Sequence, residues 1–134
     1  MEWIRHAEIF IVDMARAMSV ASASDPLFTL AVHEALTNAV RHGNRNLPSA
    51  SIACEVELAG DWFTVRIFDD GPGFSLSSVR PLQIDPNHLE TLSEDGFGLP
   101  IIQSVFPAVR TISRDGRFGI ELATVAGGAP RLQA

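Results

Sequence analysis

The spacing of apolar and polar positions predicts two helices in the first third of the chain. Apolar side chains recur over residues 2–20 without the strict alternation of a strand, which favours a helix. A second helix is expected over residues 26–42. Its N-cap candidates are Ser24 and Asp25, and Gly43–Asn44 is the stop signal at its end. A short polar turn therefore separates the two helices.

Four later segments alternate as strands do, and they form two predicted hairpins. The segments are 51–58 and 62–68, joined at Gly60–Asp61, then 109–113 and 117–125, joined at Asp115–Gly116. Between the hairpins, a short third helix is expected to open at Gly96-x-Gly98 and to run to about residue 106, where Pro107 stops it.

Residues 75–95 hold two prolines and show no period, which is typical of a functional lid. We expect one domain over residues 1–134, with a frayed tail over 127–134. The order of elements predicts an α+β fold, a two-layer sandwich with helices packed on one face of a mostly antiparallel sheet.

Composition narrows the function classes. The chain has 134 residues, of which 46% are hydrophobic and 19% charged, as in a soluble globular domain. Its ten basic residues are all arginine, they form no cluster, and the net charge is −6, which argues against nucleic-acid binding. The single cysteine, Cys54, excludes an internal disulfide and a multi-cysteine zinc site. Without a long apolar run or a leader-like N-terminus, we expect a cytoplasmic protein that does not enter membranes.

Glu34 and Asn38 are the first candidates for chemistry. They lie four residues apart on the predicted second helix, so their side chains share one face. A carboxylate and an amide on an otherwise apolar stripe suit a metal–water–phosphate site. The spacing alone favours the alternative, a solvated hydrogen-bonded pair on a helix surface.

Two glycine-containing segments are the next candidates. Asp69-x-Gly71-x-Gly73 follows a predicted strand, where a carboxylate and close backbone approach can bind a flat ring. The same composition is ordinary for a tight turn. Gly96-x-Gly98 opens a predicted helix, whose free N–H groups attract phosphate. Each segment is weak evidence alone, and their order along the chain strengthens all of them.

These segments resemble a known family. The runs HEALTNAVRHG, DDGPGF and GFGL, which begin at His33, Asp69 and Gly96, resemble the N box and the two glycine boxes of GHKL-type ATP-binding proteins. The form E-A-x-T-N-A-x-x-H-G is similar to that of bacterial anti-sigma-factor serine kinases, which act by partner switching. The resemblance covers about residues 25–125.

The resemblance implies a role for three residues of the second helix. Asn38 is expected to hold Mg²⁺ that bridges the phosphates of ATP. Glu34 is expected to be the base that accepts the proton of the attacking hydroxyl. Arg41 falls where some members carry a basic phosphate contact, and His42 is interpreted as a capping or packing residue.

The resemblance also implies how the glycine segments bind ATP. Asp69 is expected to accept a hydrogen bond from the adenine amine, and Gly71 and Gly73 to shape the adenine pocket. Gly96 and Gly98 are expected to contact phosphate beneath the lid. The implied function is a serine kinase that phosphorylates a STAS-domain anti-anti-sigma protein and sequesters a sigma factor or another target.

Three departures from the family pattern leave alternatives open. Glu94–Asp95 precedes the second glycine box, and acidic side chains at this position would repel phosphate. One alternative is therefore a nucleotide-binding switch without kinase activity. Another alternative is an adaptor protein that binds no nucleotide. Family members begin with a strand used in dimer contacts, so residues 3–10 are either that strand or helix, and a homodimer stays open. Gly119–Ile120 stands where relatives have Gly-Thr supporting the adenine-binding aspartate, with Thr124 or water as the substitute.

The remaining aromatic residues and the cysteine are expected to serve packing. The aromatic residues on predicted strands are Trp62, Phe63, Phe68 and Phe118. Cys54 is interpreted as a small buried hydrophobic residue rather than a reactive thiol.

Overall fold

Three helices and four strands make up the described part of a computed structural model, which covers residues 2–43, 52–69 and 99–127. The helices are α1 (Glu2–Ala17), α2 (Pro26–Asn38) and α3 (Leu99–Val105), with a 3₁₀ turn at Ala21–Ser24 and a π-helical turn at Ala39–Gly43. The strands are β1 (Ala53–Ala59), β2 (Trp62–Asp69), β3 (Ala108–Arg114) and β4 (Arg117–Val125). The predicted helices and strands that fall in these ranges are present, and the ends of α1 and α2 differ from the prediction.

The strands form one antiparallel sheet in the order β1-β2-β4-β3. Alternation along β2 sends Phe63, Val65 and Ile67 to one face, where all three are buried. Their partners on β4 include Ile120 and Leu122, which are buried on the same face. The helices cover this face, so the predicted α+β two-layer sandwich is confirmed.

An aromatic contact ties α2 to both the sheet and the segment after α3. The ring of Phe28 lies 6.4 Å from that of Phe63 and 5.3 Å from that of Phe106, measured between centroids. All three side chains are fully buried. Helix α2 also packs against α1 and α3, so it is the central helix of its layer.

The start of α2 follows the predicted capping pattern. The side chain of Asp25 accepts a hydrogen bond from the Leu27 N–H at 2.9 Å, and Pro26 occupies the first turn. Of the two predicted N-caps, Asp25 is therefore correct. Cap and proline together fix where α2 begins, and hence the face on which residues 34 and 38 lie.

Helix α1 ends earlier than predicted. Ser19 adopts a left-handed φ of 60°, and the Val20 N–H donates to the Ala15 carbonyl at 2.9 Å, a Schellman-type end. The helix therefore stops at Ala17 rather than at Val20. Residues 3–10 are helical throughout, so the alternative that they form a strand is wrong.

The outer face of the sheet carries a row of ion pairs. Arg66 on β2 donates to Glu121 on β4 at 2.8 Å and to Glu57 on β1 at 3.1 Å, and Arg110 on β3 donates to Glu121 at 2.6 Å. The hydrogen bonds from Arg110 and Arg66 hold the pKa of Glu121 below its ordinary value, against the opposing effect of burial. Across its middle the outer face is therefore polar, whereas the inner face is apolar.

Two packing expectations need correction or refinement. Trp62 is 45% exposed because it lies at the start of β2, on the outer face, so its expected core position is wrong. Cys54 is half-buried among core residues, and desolvation raises the pKa of its thiol to about 11.

Candidate functional site

Glu34 and Asn38 lie one turn apart on α2 and point into the protein. Their exposed fractions are only 4% and 5%, and Ala31 and Ala35 beside them are buried as well. Both residues have interaction partners within the structure, in line with the general rule that buried polar groups are hydrogen-bonded. The alternative of a solvated pair on a helix surface does not fit this burial.

Asp69 is the last residue of β2, whereas the sequence placed it just beyond the strand. It is 2% exposed and shares the helix-facing side with Ile67, because residues two apart on a strand point the same way. Its partner across the ladder is Phe118 on β4. The β1–β2 pairing stops one residue earlier, at Ala53 and Phe68, so only β4 continues the ladder at Asp69.

The elements that hold these three buried polar residues are neighbours. The π-helical turn that follows Asn38 packs against β2, and Ala39 and Ile67 belong to one core cluster. The sequence predicted that this helix continues as an α-helix to residue 42, and that part of the prediction is wrong. The α-helix ends at Asn38, and residues 39–43 form a wider π-helical turn. Arg41 lies on this turn and is exposed, so its predicted phosphate contact stays a prediction.

The glycine segments lie outside the described residues. This holds for Gly71, Gly73, Gly96 and Gly98, for the predicted lid over 75–95 and for Glu94–Asp95. Their flanks are described: Asp69 is buried, and Leu99, the first residue of α3, is 7% exposed. Strand β2 touches the π-helical turn that directly follows Asn38, and α3 packs on α2, which carries both Glu34 and Asn38.

One side chain near the site was missed by the sequence reasoning. The hydroxyl of Thr37 is buried without a hydrogen-bond partner among the described residues. A threonine inside a helix usually bonds back to a carbonyl of the preceding turn. Its position beside Asn38 was visible in the sequence, but its lack of a partner was not.

The register of β2 and β4 tests the prediction that Thr124 takes the place of the threonine with which relatives support the adenine-binding aspartate. Ile120 pairs with Ile67, and Thr124 pairs with Phe63 near the far end of β2. Thr124 therefore lies about 20 Å along the strand from Asp69. The expectation that Thr124 supports Asp69 is wrong, and the backbone of Phe118 is the ladder partner instead.

The donor chemistry of the site fits Mg²⁺ held together with phosphates. No group of three or more histidine, cysteine, aspartate or glutamate side chains gathers within the described ranges in a way that could hold a metal alone. A buried amide oxygen at Asn38 and a buried carboxylate at Glu34 are hard oxygen donors. Mg²⁺ accepts one or two such protein ligands and completes its shell with water and phosphate oxygens.

Comparison with known proteins identifies the family. The model of the histidine kinase-like ATPase domain matches residues 3–122, which include α2 and the end of β2. The chain belongs to the histidine kinase-like ATPase family. The predicted GHKL-type resemblance is thereby confirmed.

Two curated relatives are both serine-protein kinases named RsbW. The protein of Oceanobacillus iheyensis is 29% identical over 119 residues, which cover 86% of this chain and 75% of the relative. The protein of Listeria innocua is 30% identical over 91 residues, which cover 65% of this chain and 57% of the relative. Both relatives are therefore named as kinases, in agreement with the predicted resemblance to the anti-sigma-factor serine kinases of this family. In the part of the chain that is described, no helix has the length and apolarity needed to cross a bilayer.

Proposed function

We propose that this protein is an ATP- and Mg²⁺-dependent serine-protein kinase of the anti-sigma partner-switching type. It phosphorylates a serine of a STAS-domain anti-anti-sigma protein and, when that antagonist is phosphorylated, sequesters a sigma factor or another target in the cytoplasm. The observation that carries the proposal is the buried Glu34–Asn38 pair on α2, within a chain related to serine-protein kinases.

In this proposal each predicted residue keeps its role. Asn38 holds Mg²⁺, which neutralises charge on the phosphates when it is bound. Asp69 accepts a hydrogen bond from the adenine amine, and Gly71 and Gly73 line that pocket. The phosphate contacts come from Gly96, Gly98 and Arg41.

The chemical step assigned to Glu34 is proton acceptance. The serine hydroxyl of the antagonist attacks the γ-phosphorus, ADP leaves, and the hydroxyl proton passes to the Glu34 carboxylate. Burial of that carboxylate keeps bulk water from competing for the acceptor position. Losing such a base typically costs 10²–10⁴-fold in rate.

The test measures transfer of ³²P from ATP to a STAS-domain protein of the same organism. The Glu34→Gln variant should lose transfer by at least about 10²-fold and still bind ATP in a calorimetric titration. Glu57→Gln is the matched control, because Glu57 is an exposed glutamate on the outer face of the sheet. Undiminished transfer by Glu34→Gln would remove Glu34 as the base. Wild-type ATP binding without any transfer would favour the switch alternative, which the acidic Glu94–Asp95 pair motivates.

A further inference from the structure

A single arginine side chain crosses the outer face of the sheet near the end of β2. Arg114 lies at the end of β3, and its guanidinium donates a hydrogen bond to Glu55 on β1, at the opposite edge of the sheet. On the way it covers the ring of Phe68 on β2, with 4.8 Å between the guanidinium carbon and the ring centroid. We call this contact set, Arg114 with Phe68 and Glu55, the Arg114 bridge.

Gly119 on β4 leaves the space that the ring of Phe68 occupies. The two residues pair across the ladder, and a Cβ added to Gly119 would lie only 2.7 Å from Cδ1 of Phe68. Phe68 is only 4% exposed although it is on the outer face, and its ring lies between Gly119 and the guanidinium of Arg114. The ring is therefore held on both sides.

The Arg114 bridge acts where the backbone ladder runs out. Phe68 is the last residue of β2 that has partners on both β1 and β4, and the next residue, Asp69, pairs only with Phe118. A side-chain contact that fixes Phe68 from outside therefore also fixes the peptide that leads into Asp69. Because side chains alternate, the Phe68 ring is fixed on the outer face and the Asp69 carboxylate points to the helix side.

We propose that Arg114 is a positioning residue for nucleotide selection, which acts through Phe68 to hold the Asp69 carboxylate in place. The inference rests on the proposed function, in which Asp69 accepts a hydrogen bond from the adenine amine. Arg114 does not touch the nucleotide. Substitution of Arg114 should change the preference of the site for adenine over other nucleobases, and it should not change the binding of phosphate or Mg²⁺.

The probe pair for this inference is Mg-ATP and Mg-ITP, because the hypoxanthine base of ITP lacks the exocyclic amine. Wild-type protein should bind ATP at least about tenfold more tightly than ITP, as a hydrogen bond to a buried carboxylate implies. The Arg114→Gln variant should bind ATP about fivefold more weakly, with ITP affinity unchanged. Arg114→Lys keeps a cation over the ring and should restore most of the preference.

The matched control is Arg110→Gln. Arg110 is also an arginine of β3 that pairs with a glutamate on the same face, but it contacts Glu121 rather than the end of β2. Glu55→Ala is a second variant, which removes the acceptor for Arg114 without touching the aromatic ring. It also removes a 3.8 Å ion pair with Arg66, and it should reduce the preference for ATP over ITP in the same direction. Melting temperatures measured alongside verify that every variant is folded.

The outcomes separate this inference from the proposed function. Absence of ATP binding by the wild type would overturn both. Wild-type preference for ATP that survives in Arg114→Gln, or equal weakening of ATP and ITP, would overturn the positioning role and leave ATP binding standing. A loss of preference in Arg114→Gln but not in Arg110→Gln supports it.

Discussion

Replacing Gly119 with alanine tests the packing at the end of β2 most severely. A methyl group at this position would lie 2.7 Å from Cδ1 of Phe68 and 3.0 Å from the Ile67 carbonyl oxygen. Carbon atoms in contact prefer about 3.5–4.0 Å, so the overlap with the ring is about 1 Å. The ring is 4% exposed and held by Arg114, so it has little room to turn.

Two effects of the substitution oppose each other, and their magnitudes decide the sign. Alanine in a strand gains roughly 0.5–1 kcal/mol over glycine from backbone entropy. Overpacking of a filled space costs about 1–3 kcal/mol. We therefore expect Gly119→Ala to destabilise the protein, by up to about 2.5 kcal/mol. For a chain of this size, each kcal/mol lowers the melting temperature by about 4 °C.

The assay is thermal and urea unfolding of Gly119→Ala beside Gly127→Ala. Gly127 has open space around the added Cβ, so its substitution should be neutral or slightly stabilising. A double-mutant cycle with Phe68→Ala isolates the clash with the ring. Removal of the ring should make Gly119→Ala clearly less destabilising, and the cost that remains comes from the 3.0 Å approach to the Ile67 carbonyl oxygen. A Gly119→Ala protein that melts at or above the wild-type temperature would refute the packing described here.

Three further predictions concern the cap, the thiol and the ion-pair row. Asp25→Ala should lower the melting temperature by about 4 °C, because it removes a cap worth about 1 kcal/mol. Ser24→Ala removes only a 3.4 Å contact to a carbonyl and should not lower it. Equal effects of the two substitutions would contradict Asp25 as the cap. Cys54, whose pKa is raised to about 11 by burial, should react slowly with iodoacetamide at pH 8 and rapidly in denaturant; equal rates would contradict its burial. Because the folded-state pKa of Glu121 lies below its ordinary value of 4.5, its stabilising contribution is present above that pH and is lost as the pH falls below it. The free energy of unfolding of the wild type, from urea titrations at several pH values, should therefore fall more steeply below about pH 5 than that of Glu121→Gln, and parallel curves would contradict the pairing.

Local patterns were enough to predict most of the fold. The alternation around Gly60–Asp61 and Asp115–Gly116 gave both hairpins, and the Asp25–Pro26 signal gave the start of α2. The end of α1 was missed because serine, rather than glycine, takes the left-handed position at residue 19. Trp62 was expected to serve packing because it is aromatic, although alternation along the predicted strand 62–68 already puts it on the face opposite Phe63.

The sequence predicted the helix and the strand that carry the candidate site, but it did not predict the burial of these residues or the long-range contacts around them. The four-residue spacing put Glu34 and Asn38 on one face, but only tertiary packing shows that this face is buried. The contact of Arg114 with Phe68 joins residues far apart in sequence, so it depends on strand order and register. The burial of the helix face and the contact of Arg114 with Phe68 therefore do not follow from the local pattern. The register of β2 and β4 also excludes Thr124 as a support for Asp69.

The central claim, that α2 and β2 form an ATP and Mg²⁺ site, is tested most directly by calorimetric titration of ATP with and without Mg²⁺. Wild-type protein should bind ATP in a Mg²⁺-dependent way, and Asn38→Ala should abolish that dependence. Gln103→Ala, which removes an exposed amide on α3, is the matched control and should bind as the wild type does. Absence of binding at high micromolar ATP, or Mg²⁺-dependent binding that survives in Asn38→Ala, would contradict the account.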